Sequence, residues 1–136
     1  MGCRRNKARG ALAELQVATK VRSLGGEISF PHGDTAAYDL ICDFGGRTSR
    51  IQVKSSMYTK GATYDVHVTH NQNTKIYDKG ECDYVVVVVP YGTYVIPVEE
   101  IEHKKLIFWE PGTHRLSARK RECDHEKRRE DWSQLM

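Results

Sequence analysis

The sequence predicts an α/β domain. Three observations carry that expectation: an amphipathic helical stretch over 8–24, two alternating runs flanking Gly45-Gly46, and a continuous β-branched run from Asp83 to Pro90. The chain has 136 residues, 39% hydrophobic and 29% charged, which suits one domain with a modest core and argues against wholesale disorder.

In the helical stretch, Ala11, Leu15, Val17, Ala18 and Val21 fall on a broad apolar arc, and Arg9, Gln16, Lys20 and Ser23 on a solvent face. Gly25-Gly26 stops the helix. Glu14 is out of place, lying between Ala18 and Val21 inside the apolar arc, where a carboxylate needs a partner or a task. Glu27 to Phe30 reads as a short strand and Pro31-His32-Gly33-Asp34 as a turn. Tyr38–Phe44 and Arg47–Lys54 then form a hairpin closed by a two-residue Gly-Gly turn. That turn pairs Phe44 with Arg47. It sets Cys42 against Ser49, Leu40 against Ile51 and Tyr38 against Val53 on a mainly apolar side. On the other side Asp39 stands across from Gln52, with Lys54 two residues along. The register gathers Asp39, Gln52 and Lys54, and a slip of one residue would separate them.

Further along, Thr63–Val68 reads as a third hairpin partner or an edge strand, and 71–79 as a short helix or loop-helix. Asp83–Pro90 reads as a strand buried on both faces. Thr93–Val98 is its antiparallel neighbour, Val98–His103 a helical turn, and Leu106–Trp109 a last strand. Residues 115–131 are dense in both charges and read as an exposed helix or loop, with Trp132 and Leu135 docking its end. No apolar run approaches the roughly 20 residues of a membrane helix. No signal-type stretch follows the basic start, so the expected location is cytoplasmic or nucleoid-associated, not secreted. Cys3, Cys42, Cys82 and Cys123 lie far apart, which excludes a zinc ribbon and argues against a disulfide framework. A net charge of +3 permits an anionic partner without naming one.

The order helix, strand, strand, strand, helix, strand, with Glu14 on the helix, Asp39 on one hairpin strand and Gln52-Val53-Lys54 on the other, resembles the PD-(D/E)XK nuclease superfamily. There an acidic residue on the second core strand is followed on the third by a (D/E)-x-K pair, and a helical Glu often joins them. Gln52 departs from the pattern. A Gln-x-Lys version is similar to the group I intron-encoded homing endonucleases of this fold. The separations of 25, 13 and 2 residues between Glu14, Asp39, Gln52 and Lys54 carry that likeness. So do the stretch YDLICDFGGRTSRIQVKSS, Tyr77-Asp78 with Asp83-Tyr84 before the valine run, and the closing Arg129-Glu130-Asp131-Trp132-Ser133-Gln134-Leu135. The resemblance implies a restriction-endonuclease-like core: a helix, a three-stranded antiparallel meander, a helix and a strand, with additional C-terminal strands and helix. It implies one domain over 1–136, with a charged segment at about 113–136. It also implies site-specific hydrolysis of double-stranded DNA by a homodimer or homotetramer, because one active site per small chain needs two copies for a double-strand cut.

The chemistry agrees with that assignment. Phosphodiester hydrolysis uses a divalent cation to stabilise charge and acidify a water. Mg²⁺ takes hard oxygen ligands, usually including one or two carboxylates, with Mn²⁺ as the alternative ion. Asp39 is the expected anchor and Glu14 the second carboxylate. Gln52 offers a neutral oxygen or positions water, and the Val53 backbone carbonyl lies between. Lys54 orients the attacking water and stabilises developing charge. Burial would lower the Lys54 pKa and the two carboxylates would raise it. The plainer readings are a cross-strand Asp39–Lys54 ion pair and an edge-of-core Glu14. Arg4, Arg5 and Lys7 suit DNA phosphates or a solvated terminus. Ser55 and Ser56 suit phosphate or a turn, and Tyr58 and Lys60 suit the wall of a groove. Three competitors stand beside homing: a Holliday-junction or other structure-specific nuclease of the same fold, a catalytically inactive DNA-binding module, and a structural domain with no nucleic acid.

Overall fold

The computed structural model describes residues 2–57, 59–60, 63–70, 75–112 and 122–136. Helix α1 (Gly2–Ser23) starts at Gly2 rather than at residue 8. Its end is a Schellman cap: Gly25 takes φ +95°, its N–H donates to the Arg22 carbonyl, and the Gly26 N–H donates to the Val21 carbonyl at 3.0 Å. A Cβ on Gly25 would meet nothing within 4 Å, so only its backbone conformation demands glycine. Gly25→Ala is therefore expected to cost about 1 kcal/mol, read as a lower urea midpoint at unchanged m-value.

Strands β1 (Glu27–Ser29), β2 (Leu40–Phe44) and β3 (Arg47–Ser55) form the antiparallel meander. Gly45 and Gly46 both have positive φ, the conformation of a type I′ hairpin turn. The register is the expected one, with Phe44 against Arg47, Cys42 against Ser49 and Leu40 against Ile51. Short strands β4 (Thr59–Lys60), β5 (Thr63–His67), β6 (Thr69–His70) and β7 (Lys75–Ile76) follow. Strand β8 (Tyr84–Val89) then runs parallel to β3, and β9 (Gly92–Pro97) returns antiparallel to β8. The central sheet has the order β1-β2-β3-β8-β9. Strand β10 (Lys105–Phe108) joins β5 and β4 in a second sheet, and β6 pairs with β7.

The central sheet divides the core. On one face Ala13, Val17 and Val21 of α1 meet Leu40, Cys42, Ile51, Val86 and Val88, closed by Trp132 and Leu135. On the other face Val85, Val87 and Val89 meet Val66, Leu106, Tyr94 and Phe108. The valine run of β8 is thus buried on both faces, as its composition requires.

Several expectations are corrected. Leu15 is 60% exposed and Ala11 is exposed, while Ala13 takes the core position, so the buried stripe of α1 is rotated from the expected arc. Small side chains at this stripe let the helix approach the sheet closely. Thr63–His67 forms a strand, but in the second sheet rather than beside the hairpin. Of the expected helix at 71–79, residues 71–74 lie outside the described residues, and Lys75–Ile76 is a strand. Of the expected exposed helix or loop at 115–131, residues 115–121 lie outside the described residues, and the described part carries a 3₁₀ turn at Glu126–Arg128, followed by another at Trp132–Leu135. Among the described residues no helix is long and apolar enough to cross a membrane.

Candidate active site

Asp39 sits one residue before β2, yet it is still tied to β3. Its N–H donates to the Ile51 carbonyl, and its Oδ2 accepts from the Val53 N–H, both at 2.8 Å. Those two bonds fix the carboxylate at the end of the hairpin. From the other side α1 brings Glu14 against it. The two acids line one cleft of about 320 Å³, walled by Phe30, Pro31, Gly33, Asp34, Ala36 and Tyr38. Partial burial, the Asp39 charge and a hydrogen bond to the Asp39 side chain push the Glu14 carboxyl up to about 7. Two carboxyl groups held in contact share protons when no cation sits between them. Glu14 thus has the partner that its place in the apolar arc demanded.

Lys54 lies on β3, half-buried, with Nζ 5.3 Å from the centroid of the Tyr77 ring. Burial lowers its pKa below the ordinary lysine range, and the Asp39 charge opposes that shift without cancelling it. Desolvation therefore outweighs the Asp39 carboxylate. Gln52 Nε2 donates to the Val53 carbonyl at 3.3 Å, which leaves that carbonyl a second lone pair. Among the described residues no group of three or more His, Cys, Asp or Glu could hold a metal ion. Besides Glu14 and Asp39, the cleft is lined by a third carboxylate, that of Asp34. Carboxylates supplemented by neutral oxygens are the hard donor set that Mg²⁺ accepts while keeping several waters.

Behind the site, Asp83 braces the entry to β8. Its Oδ2 accepts from the Arg50 N–H at 2.8 Å and pairs with the Arg50 guanidinium at 3.3 Å. Burial works against its ionisation, but these bonds to Arg50 hold its carboxyl below the usual carboxylate range. A different acidic concavity carries Glu99, Glu100, Glu102, His103 and Asp124. There hydrogen bonds from Arg128 hold Glu100 below the usual range, which is ion-pair behaviour and not that of two carboxylates in conflict.

The remaining candidates are dispersed. Arg5 and Lys7 are exposed on the first turns of α1. Ser55 ends β3, and the Ser56 N–H is engaged by the Val88 carbonyl. Tyr58 and the side chains of Arg4 and Lys60 lie outside the described residues. The sequence reading missed two things: Tyr77 as a partner of Lys54, and the cleft wall at 30–38, which it read only as a strand end and a turn.

The PD-(D/E)XK endonuclease family model matches residues 4–134. The chain belongs to this family. Its α/β restriction-endonuclease-like core is the one this family shares, with the meander, α1 and the parallel β8 in place. Among solved structures, the bacterial homing endonuclease I-Ssp6803I is similar, with a TM-score of 0.75 and 25% identity over 95% of this chain and 89% of that one. No curated protein matches the chain.

Proposed function

We propose that this PD-(D/E)XK family member is a Mg²⁺-dependent endonuclease that hydrolyses double-stranded DNA at specific sites, of the homing type and acting as a homodimer or homotetramer. The observation that carries the reading is the Glu14–Asp39 contact in the cleft, where the Glu14 carboxyl is pushed up to about 7, with the half-buried Lys54 near enough to feel the Asp39 charge. Asp39 and Glu14 would hold the cation, with Gln52 and the Val53 carbonyl as neutral oxygens. The cation supplies Lewis-acid stabilisation of the phosphate and acidifies a water when bound. Asp39, accepting from the Val53 N–H, gives the site one carboxylate tied directly to β3. Glu14, delivered by a different element, makes the second ligand depend on the docking of α1. Lys54 stabilises negative charge developing on the phosphate and orients the attacking water. The likeness to a homing endonuclease over nearly the whole chain supports the homing reading over junction resolution.

The test is cleavage of supercoiled plasmid, a pool of linear duplexes and a four-way junction in Mg²⁺, Mn²⁺ and EDTA. Cutting in either metal, abolished by EDTA and strongest on rare linear sites, is the expected result. Preference for the junction at equal salt selects the structure-specific reading. Salt-sensitive binding without cutting in either metal selects the inactive module, and absence of such binding overturns any nucleic-acid role.

A further inference from the structure

We propose that Tyr77 is a positioning residue for Lys54: its ring is the platform that holds the lysine head group at the catalytic end of β3. The inference rests on the endonuclease reading given above. It goes beyond the acid and lysine positions by naming what keeps the lysine in place.

Lysine is a poor candidate for a fixed charge. Its head rides on a four-carbon stem with many rotamers, and nothing in the stem selects one. Among the described residues Lys54 makes no ion pair within 4.0 Å, so no carboxylate clamps it. The Tyr77 ring supplies the missing constraint. Its centroid is 5.3 Å from Lys54 Nζ, inside the range of a cation–π contact. The ring is itself immobile: it is 7% exposed and belongs to the core cluster of Cys82, Val85 and Val87. Val87 is also the partner of Lys54 in the β3–β8 register. The backbone of Lys54 and the ring beneath its head are thus anchored to the same buried strand. Burial first, then the Asp39 charge, pushes the Tyr77 phenol up to about 12, so it stays neutral and acts through its ring face. Tyr77 follows β7 directly, which makes the crossover between β3 and β8 a support for the site and not merely a connection.

The test compares Tyr77→Phe with Tyr77→Leu. Two readouts are taken: single-turnover cleavage in Mg²⁺ or Mn²⁺ with kcat and KM separated, and the ¹H–¹³C NMR shift of the Lys54 ε-methylene in metal-free protein. The ring current should move that methylene upfield in wild type and in Tyr77→Phe, and the displacement should vanish in Tyr77→Leu. Tyr77→Leu should lose about tenfold in kcat with KM unchanged, and Tyr77→Phe should keep the wild-type rate. A Phe variant that falls as far as the Leu variant overturns the proposal, because the ring is then insufficient. So does a folded Leu variant that keeps wild-type kcat, or a wild-type methylene with no ring-current displacement. Lys54→Ala separates the two layers: if it cuts as fast as wild type, the catalytic reading of Lys54 fails even where the NMR displacement is present.

Discussion

Lys54→Ala should abolish most DNA cleavage, lowering the rate by about 10²–10³-fold, the usual loss when one preorganised charge is taken from a developing anion. The protein should still fold. Lys54 is half-buried and its charge is already disfavoured there, so truncation removes a desolvated ammonium and leaves no carboxylate stranded in an ion pair. DNA retention should change little, because Lys54 is one cation among many, and the exposed Arg5 and Lys7 remain on α1. Lys54→Arg should not rescue the rate: a guanidinium can stack on the Tyr77 ring, but its longer, delocalised planar charge does not put a compact ammonium where Lys54 Nζ sits. Single-turnover cleavage beside a salt-dependent binding series checks all three statements. A Lys54→Ala protein that cuts at the wild-type rate sinks the assignment.

Asp39→Asn should produce two opposite effects. Asparagine keeps an oxygen to accept the Val53 N–H and removes the charge that faces Glu14. Folding raises the Glu14 carboxyl from its ordinary 4.5 to about 7, so the folded state binds a proton that the unfolded state releases in this interval. That contribution is fully present below pH 4.5 and is lost as pH climbs through about 7. Metal-free wild type should therefore lose about 1–2 kcal/mol across this window, after discounting the full shift for solvent screening of a partly exposed group. In Asp39→Asn the slope should flatten and the metal-free protein at pH 8 should be more stable by about 1 kcal/mol. Mg²⁺ at millimolar concentration should raise the Tm of wild type at pH 8 and leave Asp39→Asn unmoved, since a cation that binds only the folded state stabilises by mass action. Cleavage by Asp39→Asn should fall by about 10² or more. A wild-type Tm indifferent to Mg²⁺, together with an Asp39→Asn protein no more stable at pH 8, would remove the metal-site reading of the pair.

Local pattern decided the parts of this molecule that the sequence made legible. Once the Gly45-Gly46 turn closes with two residues, the facing of Leu40 and Ile51, and the approach of Asp39 to β3, follow from counting. The valine run admits only a strand covered on both sides. Glu14 was legible as an anomaly because a carboxylate in an apolar arc has few reasons to be there. The stripe of α1 was not legible in the same way. Leu12, Leu15, Ala11, Ala13 and Val17 distribute apolar surface around most of the helix, so periodicity does not choose a face. Close approach to the sheet chooses it, favouring Ala13 and Val17 and leaving Leu12 and Leu15 outside. The two-residue strands β4, β6 and β7 are too short to write any alternation. Tyr77 is a single aromatic just past β7, and its contact with Lys54 exists only once the crossover has folded back onto β3.

Strand β8 is hydrogen-bonded along both edges and covered on both faces, whereas Asp39 hangs from the end of the sheet by two bonds to β3. Amide exchange should separate them. Protons on Val86, Val87 and Val88 should leave only when the whole molecule opens, and those of Tyr38 and Asp39 should leave through small local fluctuations. The slow spine sets the lifetime of the chain against proteolysis, and the faster rim sets how easily the cleft admits and releases its occupant. Because different strands govern the two, substitutions at the cleft wall over 30–38 can retune one without eroding the other.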